Sequence, residues 1–162
     1  MRARSAGLLL LALAAPALAQ GRESLGVFGA WGAFRGDGAC YAIALPHRAP
    51  EPEGWRPSVA VAHWPGRNIA NQLHVRLSRE KRESSAVLLR VDGRVFQLTG
   101  RGRDAWAPDA RADDAIQDAM RTGIDMIVET RSTRGTLVRD HYRLRGAATA
   151  MDAAAIACAR RR

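Results

Sequence analysis

Residues 87–98 read VLLRVDGRVFQL, and how this stretch folds decides the class of the whole chain. Two apolar runs flank Asp92-Gly93, the pair of residues that a two-residue primed turn needs at its centre. The stretch is therefore a β-hairpin. Upstream, QLHVRLS (72–78) shows the same chemistry in one strand: Leu73, Val75 and Leu77 alternate with His74 and Arg76. Side chains alternate across a strand, so such a segment has one dry face and one wet face.

The same two-residue alternation recurs from Leu25 to Leu144, broken by turn residues, which is the pattern of an antiparallel β domain rather than of βαβ units. It predicts about eight strands, near Val27–Phe34, Cys40–Leu45, Val59–Trp64, Gln72–Ser78, Val87–Val91, Val95–Thr99, Met126–Arg131 and Thr136–Leu144. Dry faces of this kind are buried when two sheets stack as a β-sandwich. RSTRGT (131–136) makes a second, longer turn through Gly135. LPHRAPEPEGWRPS (45–58), with four prolines, reads as a surface loop without regular structure.

Two helices interrupt the pattern. In DARADDAIQDAMRTG (109–123), Ile116, Ala119 and Met120 share a face, aspartates crowd the first turn, and Gly123 suits a left-handed terminating position. In TAMDAAAIACARRR (149–162), Thr149 and Asp152 resemble a capping box, and Met151, Ala154, Ala155 and Cys158 form the apolar stripe.

The chain opens MRARSAGLLLLALAAPALAQG. Arg2 and Arg4 precede a short apolar run, followed by Pro16 and the small-x-small pattern Ala17-Leu18-Ala19. This predicts a secretory signal over residues 1–19, cleaved after Ala19. The run is too short for a span, which takes about 20 apolar residues, so a stable membrane anchor is not expected. Removing 19 of 162 residues leaves 143, a length that suits one domain over 20–162. Removing Arg2 and Arg4 takes the basic count from 25 to 23 against 16 acids, a net charge of +7. Lys81 is the single lysine, and the positive charge is dispersed. Nucleic-acid binding would call for clustered basic residues with stacking aromatics, and an exported chain seldom meets nucleic acid. A basic surface of this kind suits an anionic polymer or an envelope protein as partner.

Cys40 and Cys158 both survive processing, and in an oxidising compartment an even pair is most simply a disulfide. It would close a loop of roughly 120 residues, for which the chain-entropy model gives about 4–5 kcal/mol as an upper figure. Templates for chemistry are absent: GxSxG, HExxH, a phosphate loop, GxGxxG after a strand and paired histidines at metal spacing do not occur. No cofactor and no metal site is expected. The only candidates for an active centre are His63 in VAHWPGR, with Asp140 and His141 in VRDHYRL, which would make the chain a small periplasmic hydrolase or a metal-dependent enzyme. Alternation puts Asp140 with Val138, Tyr142 and Leu144 on the apolar side, where a carboxylate needs a partner. A structural ion pair is the simpler role for it. The arginines 131, 134, 139, 143 and 145 read as a solvated face, while Trp55, Trp64 and Trp106 are the candidate binding aromatics, able to stack on a sugar or another ring, although large aromatics more often fill or rim a small core.

From Met120 on, the pieces AMRTG, ETRS, RGT and DHYRLRG, followed by an alanine-rich helix with one cysteine, resemble the invasion-associated locus B family of alphaproteobacterial envelope proteins. FGAWGAFRGDGACYAI (28–43) is similar to that family's tryptophan strand followed by a cysteine strand. The resemblance covers most of residues 25–160 and rests on structural rather than catalytic motifs. It implies an immunoglobulin-like β-sandwich exported to the periplasm or cell surface, non-enzymatic, with no catalytic residues to carry over. Many members have a further cysteine where this chain has Phe34-Arg35, which leaves Cys40 and Cys158 as the only possible bridge.

Overall fold

The computed structural model of the chain describes residues 21–51 and 54–159. The expected signal segment and its cleavage point lie outside them. Ten strands form one antiparallel sheet: β1 (Glu23–Phe28), β2 (Trp31–Gly36), β3 (Ala39–Ala44), β4 (Ser58–Trp64), β5 (Ile69–Arg76), β6 (Val87–Val91), β7 (Arg94–Arg101), β8 (Asp104–Trp106), β9 (Asp125–Arg131) and β10 (Leu137–Arg143). Their spatial order is β1-β2-β3-β4-β5-β8-β7-β6-β9-β10. Two helices, α1 (Ala110–Thr122) and α2 (Ala147–Ala159), complete the fold.

Alternation governs the sheet as the sequence predicts. Ala33, Ala42, Val61 and Leu73 stand opposite one another across β2 to β5 and are fully buried. On the far side of the sheet, Leu89, Val128 and Asp140 form the equivalent row. Both rows belong to one interior, because the sheet curls until its last strand returns to its first hairpin. The Ala30 amide donates to the Arg145 carbonyl at 3.0 Å, and the indole of the wholly buried Trp31 donates to the Arg143 carbonyl at 2.9 Å. His141 exchanges two backbone bonds with the chain beyond β3: the His47 amide donates to the His141 carbonyl at 2.9 Å, and the His141 amide donates to the Arg48 carbonyl at 2.7 Å. The C-terminal end of an edge that would otherwise present unpaired backbone groups is thereby stitched down. Gly146, at φ 93°, makes this approach possible, since a methyl there would run into the Phe28 carbonyl.

The strand count exceeds the expected eight for two local reasons. The segment expected as Val27–Phe34 is split by Gly29, whose φ of 61° turns the chain between β1 and β2. Strand β8 is a three-residue return from β7 through Gly102 at φ 59°, too short for its alternation to register in the sequence. The sheets expected to be stacked as two layers are one curled layer, continuous through β7. Likewise, the proline-rich stretch is not wholly irregular, since His47 and Arg48 serve as the closing partners of β10.

Helix α1 begins at Asp109, whose carboxylate caps the Ala112 amide at 2.8 Å. Gly123 ends it in an extended conformation, φ −77°, and not in the expected left-handed one. Glycine is required there by space, because an added methyl would meet Val91 and Leu144. Helix α2 starts at Ala147, two residues before the expected Thr149 cap, and Asp152 binds Arg121 of α1 at 2.8 Å. Small residues, Ala147, Ala150 and Ala154, with Met151, let α2 lie close over β1 to β4. This packing sets Cys158 against β3, where it is bonded to Cys40, with Cα atoms 5.8 Å apart. Among the described residues, no helix is long and apolar enough to cross a membrane.

Replacing both cysteines by alanine is expected to lower unfolding free energy by up to about 4–5 kcal/mol without changing the strand content, because the bridge chiefly restricts the unfolded chain. Urea unfolding of the oxidised protein and the double variant, followed by circular dichroism, measures the difference.

Candidate binding surface

The three residues proposed for catalysis do not meet. His63 projects inward from β4, opposite Cys40, and is buried. Its Nδ1 accepts the Asn71 amide at 3.4 Å, which leaves the proton on Nε2. Burial lowers its pKa, so the ring is neutral at neutral pH. Asp140 is also inward-facing, on β10, but it binds Ser78, beyond the other end of β5 from Asn71. Seven residues of extended chain place the two sites about 20 Å apart. His141 alternates to the outer face, its ring 6.2 Å from that of His47. Burial and the positive charges of Arg48, His47 and Arg139 lower its pKa.

Asp140 takes its hydrogen bonds from Ser78, whose amide donates at 2.9 Å and whose hydroxyl donates at 2.5 Å. Arg79 and His141 add electrostatic attraction, but the hairpin arginines point away, to the opposite face. Burial outweighs these favourable contacts and raises the carboxyl pKa above its ordinary value. The neighbouring Tyr142 hydroxyl is raised well above 10.0, by burial first and by Asp140 second. This polar group inside the core is part of the packing of β10 against the turn after β5. On the outside, Arg139 binds Glu129 at 2.7 Å and Arg90 approaches the same carboxylate at 4.0 Å, so these arginines form a surface network. Such exposed pairs contribute little to stability.

Chemistry that faces solvent collects on the outer side of β5, β8 and β7. His74, Trp106 and Thr99 form one cross-strand row; Arg76, Asp104 and Arg101 form the next. The His74 and Trp106 rings stack at 5.4 Å with 25° between their planes, and His74 Nε2 lies 2.8 Å from Asp104 Oδ1. Arg76 Nε approaches the same oxygen at 3.9 Å. Beyond this row the Arg103 guanidinium lies 3.7 Å over the centroid of Trp55, whose indole donates to the Leu77 carbonyl at 2.8 Å. Cation–π contacts of this kind fix both groups. Trp106 remains 36% exposed.

Trp106 therefore shares the outer band with His74, Arg76 and Arg101, while Trp55, under Arg103, lies just beyond the end of β5 beside Leu77. Trp64 lies apart, at the far end of β4, under Arg67 at 5.1 Å. The outward placement of His74 and Arg76 was legible in QLHVRLS, but their partners Asp104 and Trp106 come from the strand that sequence reading misses. Among the described residues, no group of three or more His, Cys, Asp or Glu side chains is placed to hold a metal ion. No family model, curated protein or solved structure matches the chain.

Ser78→Ala is expected to cost about 1–3 kcal/mol, since it leaves a buried carboxylate short of a donor. The pH dependence has a definite sign. A carboxyl whose folded pKa is raised stabilises the fold most below its unfolded pKa, and that contribution is lost as pH rises through the folded value. Wild-type stability relative to Asp140→Asn is thus expected to fall with rising pH above the ordinary value of 3.8. Urea midpoints of the two proteins across the acid range measure it; a wild-type midpoint that rises relative to that of Asp140→Asn as pH rises contradicts the assignment.

Proposed function

We propose that this chain is an exported, non-enzymatic binding module of the cell envelope, related to the invasion-associated locus B family and resident in the periplasm or at the cell surface. The observation that carries the proposal is the outer band of β5, β8 and β7, where an accessible tryptophan and several cations are held in fixed geometry on a rigid sheet. Rigid sheet faces position such groups without the ordering cost that loops incur on binding. Export is supported by the disulfide, which persists in oxidising compartments, and by the N-terminal sequence pattern. The resemblance implies an immunoglobulin-like sandwich, whereas the chain has one curled sheet of ten strands, so the kinship rests on the sequence motifs. The alternative, a hydrolase or metal-dependent enzyme using His63, Asp140 or His141, gains no support from residues that lie on different faces and at opposite ends of β5.

The partner is an envelope protein or an anionic polymer. Production of the full chain in a Gram-negative host, fractionation and N-terminal sequencing test residence: the expected product is periplasmic, begins at Gln20 and carries no free thiol. Crosslinking in intact cells is then expected to join it to an envelope component. Accumulation in the cytoplasm with both thiols free overturns the proposal.

A further inference from the structure

We infer that the band of Trp106, His74, Arg76 and Arg101, with the Arg103–Trp55 pair at its end, binds an anionic polysaccharide, with Trp106 as the stacking surface and the arginines as the recognition of its acidic groups. The inference rests on the binding-module reading and adds to it a site and a ligand class.

Shape argues for an elongated ligand. Two rows, His74–Trp106–Thr99 and Arg76–Asp104–Arg101, succeed one another along the strands at about 7 Å, and Arg103, over Trp55, follows one residue further on, beside Leu77. The band is thus about 10 Å long and about 10 Å across its three strands, and it is open at the surface, so it suits a stretch of polymer better than an enclosed small molecule. Its edge strand β5 is flanked on β4 by Ala60 and Ser58, whose small side chains leave the aromatic and guanidinium groups standing proud. Trp106 has one ring face covered by His74 and remains partly exposed, which leaves surface for the apolar face of a sugar ring.

Charge argues for an acidic ligand. Arg76, Arg101 and Arg103 stand against the one carboxylate of the band, Asp104. That carboxylate is already engaged by His74 and Arg76, which orients both. Guanidinium forks match carboxylate or phosphate groups in a bidentate fashion, and a partly exposed Arg76 is placed to use one. Aromatics interleaved with cations also suit single-stranded nucleic acid; the expected export of the chain favours the polysaccharide.

Binding of polygalacturonate to the full-length oxidised protein, followed by tryptophan fluorescence and calorimetry, tests the inference, with neutral dextran and a single-stranded oligonucleotide as comparisons. The expected result is binding of polygalacturonate that weakens with salt, no binding of dextran, and at least tenfold weaker binding in Trp106→Ala and in Arg76→Gln. Arg139→Gln, which removes the same charge from the other end of the sheet, is expected to bind like wild type. Equal losses in Arg139→Gln and Arg76→Gln would show only general charge attraction and overturn the site. Polygalacturonate binding that both band variants retain also overturns it, while leaving the binding-module reading intact. Absence of polygalacturonate binding, or tighter binding of the oligonucleotide, overturns the ligand class; the crosslinking and fractionation results decide the module reading separately.

Discussion

Closure of the curled sheet is the constraint on which the other features of this protein depend. A single layer of ten strands has one face to bury, and α1 and α2 cover only part of it. The rest is buried because β10 swings back to the first hairpin and to the segment after β3. Ala30, Trp31, His47 and Arg48 satisfy the backbone of residues 141, 143 and 145. That contact makes Leu89 and Val128 part of the same interior as Ala42 and Val61. It also explains why a tryptophan is fully buried there: the indole fills the seam and donates to the strand that closes it.

The disulfide and the buried carboxylate act on this closure from two sides. Cys158 anchors the end of α2 to β3, so the helix that follows β10 is held over the first four strands. Asp140 ties β10 to the turn after β5 through Ser78. A buried carboxylate held by one serine is an expensive way to fix a strand, and its raised pKa records that burial wins over the hydrogen bonds. Nothing about it requires catalysis. What remains free to interact lies outside, where alternation necessarily puts the polar half of every strand.

Much of this was legible from the residues. Period-two alternation located seven of the eight expected strands to within a few residues, the exception being Val27–Phe34, which spans the turn between β1 and β2, and it assigned Asp140 to the inside and the arginines to the outside. Two cysteines in a chain expected to be exported implied their bond. The rest was hidden for physical reasons. A three-residue strand such as β8 carries too few side chains to display a period, and without it neither the stack of His74 on Trp106 nor the joining of both halves into one sheet is visible. Ser78 gave no sign of its role, because a serine at a strand end is ordinary until the strand opposite is known. Glycines were read as turn formers, while Gly123 and Gly146 are needed for close approach, a property of the packed molecule and not of the local chain.

The most direct test of the closure is native-state hydrogen exchange resolved by residue. If β10 is stitched to the first hairpin as described, the amides of Ala30, His47 and His141 exchange only in the same cooperative opening as the central strands β4 and β5. Exchange of these three through separate local openings, orders of magnitude faster than β4 and β5, would contradict the account, since the sheet would then be an open one whose ends do not hold each other.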